Sequence, residues 1–373
     1  MEPKKLGFGL MRLPLTDPKD TSKIDYEAVC RMADRFLAEG FTYFDTAAPY
    51  HGKFNSELAF GECVAKRYPR ESYLLADKLS FFLVQQADQL EGFFAGQLRR
   101  CGVEYFDCYL LHAMDAERLA LAERIGAFEF VAQKKAEGKI RHVGFSFHDT
   151  PEVLEDFLTR HPEMEVVQLQ LNYLDWEDPE VQARRCYEVC RRHHKPVIVM
   201  EPVKGGLLAS LPQKAEALLK GASPQASAAS WAVRFAASLE GVAMVLSGMG
   251  SEEQMADNLG YMGAFQPLSS AERRLVEQAA DMIRDAASIP CTACRYCVDG
   301  CPQKIAIPDI FKLINKISRF GEGQLPAAKK SYAQMAQGHG KASECLRCGQ
   351  CEAACPQHLP VIGHLENAAL VLE

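Results

Sequence analysis

Three observations predict an α/β fold for this chain. Strand-like and helix-like segments alternate from residue 6 to about residue 265, the strand candidates number eight, and two cysteine-rich runs follow after residue 290. Together they predict a (β/α)8 TIM barrel followed by a small, mostly α-helical domain, with the domains at 1–268 and 269–373.

The strand candidates, in order, are Leu6–Arg12, Phe41–Asp45, Tyr73–Lys78, Phe106–His112, Ile140–Ser146, Val166–Leu171, Pro196–Met200 and Val242–Ser247. Several are nearly continuous apolar runs, such as Val197-Ile198-Val199-Met200. Such runs suit parallel strands covered on both faces. Helical periodicity runs from Tyr26 to Leu37 and stops before Gly40, and a second helical stretch runs from Ala122 to Gly138. Pro151 stands where a first helical turn tolerates proline. An open, doubly wound sheet is the competing architecture. It would carry a glycine-rich turn between its first strand and first helix, and no G-x-G-x-x-G precedes a helix here. The barrel ends near Pro267-Leu268-Ser269-Ser270, where Ser269 or Ser270 can cap a helix over Ala271–Ala286.

Composition excludes several classes. Of 373 residues, 48% are hydrophobic and 24% charged, which is globular rather than disordered, collagenous or coiled-coil. The net charge is −7 and no long basic run exists, so nucleic acid is not an expected partner. No apolar stretch approaches the ~20 residues a membrane span needs. The start, Met1 to Gly7, lacks the apolar centre of a secretory leader. The expected location is the cytoplasm.

Fourteen cysteines are the unusual feature, and eight of them lie after residue 290. The other six are scattered and read as small buried hydrophobes. Cys186 and Cys190 share a helical face but have no second pair to complete a metal site. The late eight form two runs, Cys291-x-x-Cys294-x-x-Cys297-x-x-x-Cys301-Pro302 and Cys345-x-x-Cys348-x-x-Cys351-x-x-x-Cys355-Pro356. Both match the pattern C-x2-C-x2-C-x3-C-P of two-cluster ferredoxins. Three thiolates of a tight turn reach three irons of one cubane, and the fourth cysteine, followed by proline, ligates the other. This predicts two [4Fe–4S] clusters, one on Cys291, Cys294, Cys297 and Cys355, the other on Cys345, Cys348, Cys351 and Cys301. Zinc sites use separate ligand pairs, and disulfides need an oxidising compartment. Helical segments at Ile310–Ile317 and Ala327–Gln337 separate the runs. The stretch 285–365 therefore resembles α-helical ferredoxin modules fused to larger redox enzymes.

Polar residues close three consecutive barrel strands: Asp45, Lys78 and His112, with Tyr50 in the loop after Asp45. Carboxyl ends of strands form the working face of a TIM barrel, so these four groups should converge. The motifs Phe44-Asp45-Thr46-Ala47-x-x-Tyr50-x-Gly52 with Ser56-Glu57, Asp107-x-Tyr109-Leu110-Leu111-His112, Gly144-x-Ser146, Val167-Gln168, and Ser247-Gly248 through Glu253-Gln254 and Asn258 resemble the aldo-keto reductase superfamily over residues 5–265. With the cysteine module, the chain is similar to that family's iron–sulfur-containing branch. Glu201-Pro202-Val203-Lys204-Gly205-Gly206 also looks typical of the branch.

The resemblance implies roles. Tyr50 protonates a carbonyl oxygen as hydride reaches carbon. Lys78 lowers the tyrosine's pKa from its ordinary ~10, and Asp45 keeps Lys78 charged. His112 orients the carbonyl or relays the proton. Ser146 and Gln168 hold the nicotinamide amide of NADH or NADPH. Gly248 and Ser251 belong to the phosphate loop, and Gln254 and Asn258 meet the adenine side. That loop lacks the usual base for a 2′-phosphate and carries Glu252, which leans toward NADH unless Lys204 or Arg12 compensates. The aromatic partner of the ring has no clear counterpart at Met200-Glu201-Pro202, and Phe147 follows Ser146 where the family usually has asparagine. Phe81-Phe82 suggests an apolar wall, or equally core packing.

The resemblance thus implies an oxidoreductase that moves hydride between a nicotinamide and a small carbonyl or alcohol, with electrons relayed through the clusters to or from a ferredoxin-like redox partner. Hydride carries two electrons and each cluster one, so direct coupling needs a converter such as a flavin. No flavin motif is evident, and a flavin is left open. Two alternatives stand beside this reading: a carbonyl reductase with purely structural clusters, and an electron-transfer protein whose barrel is a docking platform.

Overall fold

The computed structural model describes residues 4–18, 20–285, 289–320 and 324–373. Met1–Pro3, and Ala286 of the expected helix, lie outside the described residues. Eight parallel strands close a barrel in chain order: β1 (Leu6–Gly9), β2 (Tyr43–Asp45), β3 (Leu74–Ser80), β4 (Phe106–Met114), β5 (Ile140–Phe147), β6 (Val166–Gln170), β7 (Val197–Met200) and β8 (Val242–Ser247). Closure pairs β8 with β1 at Phe8 and Ser247.

The boundaries differ from expectation in instructive places. β1 ends at Gly9, and Leu10–Arg12 coil into a single tight turn. β3 and β4 each run two residues past the polar groups expected to end them, so Lys78 and His112 lie within strands. The helical stretch expected over 122–138 is two helices, Ala116–Arg124 and Ala127–Ala136. Gly126, at φ 72°, breaks them, a conformation that favours glycine. Asp25, Asp115, Thr150 and Ser251 cap the helices that follow them, each accepting from the backbone N–H three residues on.

Strand parity organises the interior. Alternate residues face the same side of a strand. One buried cluster joins Tyr43, Ala76, Cys108, Leu110, Val166, Ile198, Met244 and Leu246 across six strands. Glycines complete it: a Cβ on Gly7 would come within 2.7 Å of Leu246, and one on Gly144 within 2.1 Å of the Val166 carbonyl oxygen. Two residues further along the same faces stand Asp45, Lys78, His112, Ser146 and Gln168. An apolar plug thus floors a polar layer. The opposite parity is aromatic, with Phe44 packed edge-on against Phe36, Phe60 and Tyr73.

By contacts the chain forms two compact units. The first holds 1–171, 182–202 and 233–267. The second holds 172–181, 203–232 and 268–373, so the stretches that leave β6 and β7 belong with the cysteine region. In the second unit, helix Ser270–Asp285 packs on helix Gln213–Ala222. Helices Ile307–Phe320, Leu325–Met335 and Val361–Leu372 enclose a core that includes Ile307, Phe311, Tyr332, Leu365 and Ala368. Asn315 joins it to the preceding chain, its amide bonding both the N–H and the C=O of Ile289 at 2.7 Å. No described helix is long and apolar enough to cross a membrane.

Gly144→Ala tests the barrel floor. The added methyl would meet backbone, which cannot swing aside, so a loss of about 1–3 kcal/mol or more in denaturant unfolding is expected. Unchanged stability would mean the β5–β6 spacing is slack.

Candidate functional site

Parity brings Asp45 and Lys78 face to face from neighbouring strands. Lys78 Nζ lies 2.5 Å from Asp45 Oδ1 and donates to the Thr46 carbonyl at 2.8 Å. Gln168 Nε2 donates to the other carboxylate oxygen at 3.2 Å. Lysine and aspartate are 1% and 5% exposed, so this is a fully desolvated ion pair whose lone pairs and protons are partly met by further hydrogen bonds. Burial pushes the Asp45 carboxyl up, and Lys78 and Gln168 pull it back.

Tyr50 and His112 complete the constellation. Lys78 Nζ stands 5.3 Å from the centre of the Tyr50 ring, and the Tyr50 and His112 rings meet edge-on with centroids 6.2 Å apart. The Tyr50 hydroxyl has no hydrogen-bond partner among the described residues. Burial, with Asp45, Asp77 and Glu201 nearby, pushes its pKa well above the ordinary value. The expectation that Lys78 lowers it is not met here. Asp45 offsets part of the lysine's charge, and desolvation penalises the phenolate directly. The phenol is therefore held protonated.

His112 is held neutral, its pKa pushed well down by burial and by Lys78, His148 and Arg118. Its Nδ1 is buried without a partner. A bare lone pair there costs less than an unsatisfied N–H, which favours the tautomer protonated on Nε2. Phe82, 43% exposed, stands edge-on to the imidazole at 5.8 Å, whereas Phe81 is core; the pair divides between the two readings.

Ser146 supports β4. Its Oγ accepts from Ala113 N at 2.7 Å. Ala113 adopts φ 57°, and the β4–β5 register slips between Leu111 and Met114. This bulge directly follows His112, and bulges re-aim neighbouring side chains. A second buried network backs the lysine strand. Gln97 donates to Glu57 at 3.0 Å and to the Lys78 carbonyl at 3.1 Å, and it accepts from Tyr109 at 2.5 Å. Arg100 closes it by pairing with Glu57. Glu57 and Tyr109 stand in the quoted motifs. Gln97 gave no signal, because its place follows only from how helix Gln89–Cys101 lies on β3.

The loop after β8 carries the remaining expected contacts. Ser251 caps helix Glu252–Gly263, and Gln254 Oε1 accepts from Gly250 N at 2.7 Å. Asn258 Nδ2 donates to Ser247 Oγ at 2.8 Å. Arg12 lies over Gly248, within 3.2 Å of where a Cβ would stand, and pairs with Glu201 at 3.6 Å. Glu252 pairs with Arg31 at 2.8 Å. These side chains shape a glycine-lined loop at a capped helix start, the kind of site that accepts a phosphate. Arg31 and Arg12, distant in sequence, are the basic groups at this loop, and each is paired with a glutamate. Lys204 stands apart: it belongs to the second unit, where its ammonium is taken by Asp175 and Gln357.

In the second unit the cysteines surround two cavities. Cys291, Cys294, Cys297 and Cys355 line one small hollow. Cys301, Cys345, Cys348 and Cys351 line another. Each set takes three thiols from one run and the fourth from the other. No three His, Cys, Asp or Glu groups among the described residues converge closely enough to hold a single ion. Eight thiols spread around two hollows suit a cubane cluster, with thiolates set apart on separate irons, better than one tetrahedral zinc.

Comparison with known proteins agrees with both halves. Residues 5–281 match the aldo/keto reductase family, and residues 290–359 match a 4Fe-4S dicluster domain. An aldo-keto reductase of Mycolicibacterium smegmatis is 29% identical over 143 residues, 38% of this chain and 45% of that protein. The chain thus spans less than half the length of the curated relatives it matches. An aldo-keto reductase from Bacillus halodurans, solved in its holo form, has a TM-score of 0.60 at 25% identity, covering 74% of this chain and 91% of its own. One from Klebsiella pneumoniae in complex with NADPH has a TM-score of 0.58 at 19% identity, covering 74% and 90%, a likeness of fold.

Two measurements probe this geometry. Lys78→Met strands a buried carboxylate and should cost about 3–5 kcal/mol of stability, most of it recovered in Asp45→Asn/Lys78→Met. Equal losses in both would dissociate the pair from stability. His112 protonates near 6.5 when unfolded but only at lower pH when folded, so its contribution is complete above about 6.5 and falls as pH drops below that. His112→Gln should therefore lose less stability than the parent on going from about pH 7.5 to 5.5. An unchanged slope would remove His112 from the acid response.

Proposed function

We propose that this chain, which belongs to the aldo/keto reductase family, is an oxidoreductase that transfers hydride between a nicotinamide cofactor and a small carbonyl or alcohol, with two [4Fe–4S] clusters exchanging electrons with a redox partner. The observation that carries the reading is the set Asp45, Lys78, Tyr50 and His112, with an unengaged, protonated phenol beside a buried ammonium.

The nicotinamide supplies the hydride when bound. Tyr50 donates its phenolic proton to the substrate oxygen, which a strongly raised pKa keeps available across the neutral range. Part of its cost of ionisation is offset as the proton leaves by the Lys78 ammonium, whose Nζ lies 5.3 Å from the ring centre. Asp45 and the Thr46 carbonyl keep that ammonium in place. Neutral His112 donates from Nε2 to the same oxygen and so fixes its position. Ser146 keeps the bulge behind it, and Gln168 keeps the carboxylate turned toward Lys78.

For the cofactor, Gly248 and Gly250 with the capped helix start suit the pyrophosphate, and Ser146 and Gln168, buried two residues beyond the apolar floor, are the candidates to hold the amide. The NADH lean weakens once Arg31 neutralises Glu252 and Arg12 overlies Gly248. For the clusters, the crossed thiol sets support a count of two. The second cavity has an exposed ligand, Cys348, beside Leu346 at 60% exposure, which supports contact with a ferredoxin-like partner at that edge. The scattered cysteines are free thiols, in keeping with a cytoplasmic location. The functional boundary is taken at 268/269.

Tyr50→Phe should lower carbonyl reduction by about 10²–10⁴-fold while nicotinamide affinity and iron content stay unchanged. Retained reduction would remove Tyr50 as the acid, and intact electron transfer without any reduction in the parent would favour a docking barrel. An anaerobic titration with NADH and then NADPH, followed by visible absorption and EPR, tests the relay on a sample assayed for iron and flavin. Cluster reduction by nicotinamide would make the two halves one electron path, any flavin found being the two-to-one-electron converter that such a path needs. Clusters reduced by dithionite alone would make them structural or separately fed.

A further inference from the structure

The two cysteine runs repeat in backbone conformation as well as in sequence. The residue before the second cysteine is left-handed in both, Ala293 at φ 53° and Arg347 at φ 53°. So is the residue after it, Arg295 at 69° and Gly349 at 77°, and the third residue past the fourth cysteine, Lys304 at 51° and His358 at 50°. Each fourth cysteine is followed by Pro-Gln, and Gln303 and Gln357 line the two cavities.

At this pair of glutamines the repeat is broken. Gln303 makes no side-chain hydrogen bond among the described residues. Gln357 is buried and accepts from Lys204 Nζ at 3.0 Å. Lys204 is ion-paired with Asp175, and the two side chains are 3% and 1% exposed. The next residue, Gly205, sits at φ 62°, and a Cβ there would come within 2.2 Å of the Thr292 carbonyl oxygen. Thr292 follows Cys291 and lines the same cavity as Gln357. Two adjacent residues, Lys204 and Gly205, therefore touch both loops that supply thiols to the first cavity. Lys204 and Asp175 line neither cavity; Lys204 reaches the wall of the first through Gln357.

We propose that Lys204 and Asp175, acting through Gln357, are positioning residues that hold the two ligand loops of the first cluster together and raise that cluster's reduction potential, leaving the second cluster unaffected. The inference rests on the two-cluster reading above. The physical basis is a buried dipole. The pair is neutral overall, but its ammonium meets the glutamine that lines the cavity, and in a low-dielectric interior that end favours an added electron. Hydrogen-bonded neighbours of ligands tune clusters in the same way as they tune other metal sites. Asp175 lies in the stretch that leaves β6 and Lys204 in the one that leaves β7. The first cluster is thereby tied to chain that continues from two barrel strands.

The test is an anaerobic potentiometric titration of the iron-loaded, full-length protein, read by EPR. Iron and sulfide content of the parent come first; fewer than two clusters would sink the two-cluster reading and this inference with it. Cys294→Ser and Cys348→Ser, each removing a ligand from one cavity, assign the two midpoints. Lys204→Met/Asp175→Asn removes the dipole without leaving a buried charge. It should lower the midpoint of the first cluster and leave the second in place. Gln357→Ala keeps the ion pair but cuts its link, and should move the same midpoint in the same direction, whereas Gln303→Ala should leave the first cluster unmoved. Equal shifts in both clusters, or an unmoved first cluster in both the double variant and Gln357→Ala, would overturn the proposal.

Discussion

A lysine ammonium buried inside a parallel barrel is the constraint on which the barrel's polar layer depends. Isolated, such a charge would be expelled or neutralised. Lys78 is kept by Asp45 from the neighbouring strand, by the Thr46 carbonyl, and by Gln168 holding the carboxylate from across the barrel. Because the three partners come from β2, the loop after it and β6, the pair is stable only when the barrel is closed. Folding and site assembly are therefore one event. The phenol and imidazole beside the pair are both held neutral, chiefly by burial.

The apolar floor beneath that layer has a complementary role. Tyr43, Ala76, Cys108, Val166, Ile198 and Met244 exclude water from below, and Gly7 and Gly144 let the layer close without overpacking. A dry floor strengthens every electrostatic contact above it. It also explains the strain at Ala113. β4 must deliver His112 inward at the level of Lys78 and still pair with β5, and the bulge held by Ser146 accommodates both.

The second unit is built on a different economy. Its core is small, and the cysteine loops repeat three left-handed positions that an apolar core alone would not favour. Metal–thiolate bonds suit such loops, because ligation over-determines the backbone. Within this near symmetry the glutamines after Cys301 and Cys355 have unequal surroundings: Gln357 accepts from Lys204, and Gln303 makes no side-chain hydrogen bond among the described residues.

Much of this was legible from spacing. The eight strands could be read because buried parallel strands are short apolar runs, and period two places Asp45, Lys78 and His112 on the inward face as surely as Tyr43, Ala76 and Leu110. The cysteine runs were legible because cluster geometry dictates their intervals. What pattern could not reveal was partnership over long separations. Gln168 meets Asp45 across 123 residues and Lys204 meets Gln357 across 153. Arg31 reaches Glu252, and Gln97 braces the strand of Lys78. For the same reason the engagement of Lys204 by Asp175 and Gln357 could not be foreseen. Local periodicity records which face a residue occupies, since that depends only on its neighbours in the chain. Which group it meets, and so its protonation state, depends on desolvation and on charges brought close by closure of the barrel and packing of the helices, and only the folded chain decides these.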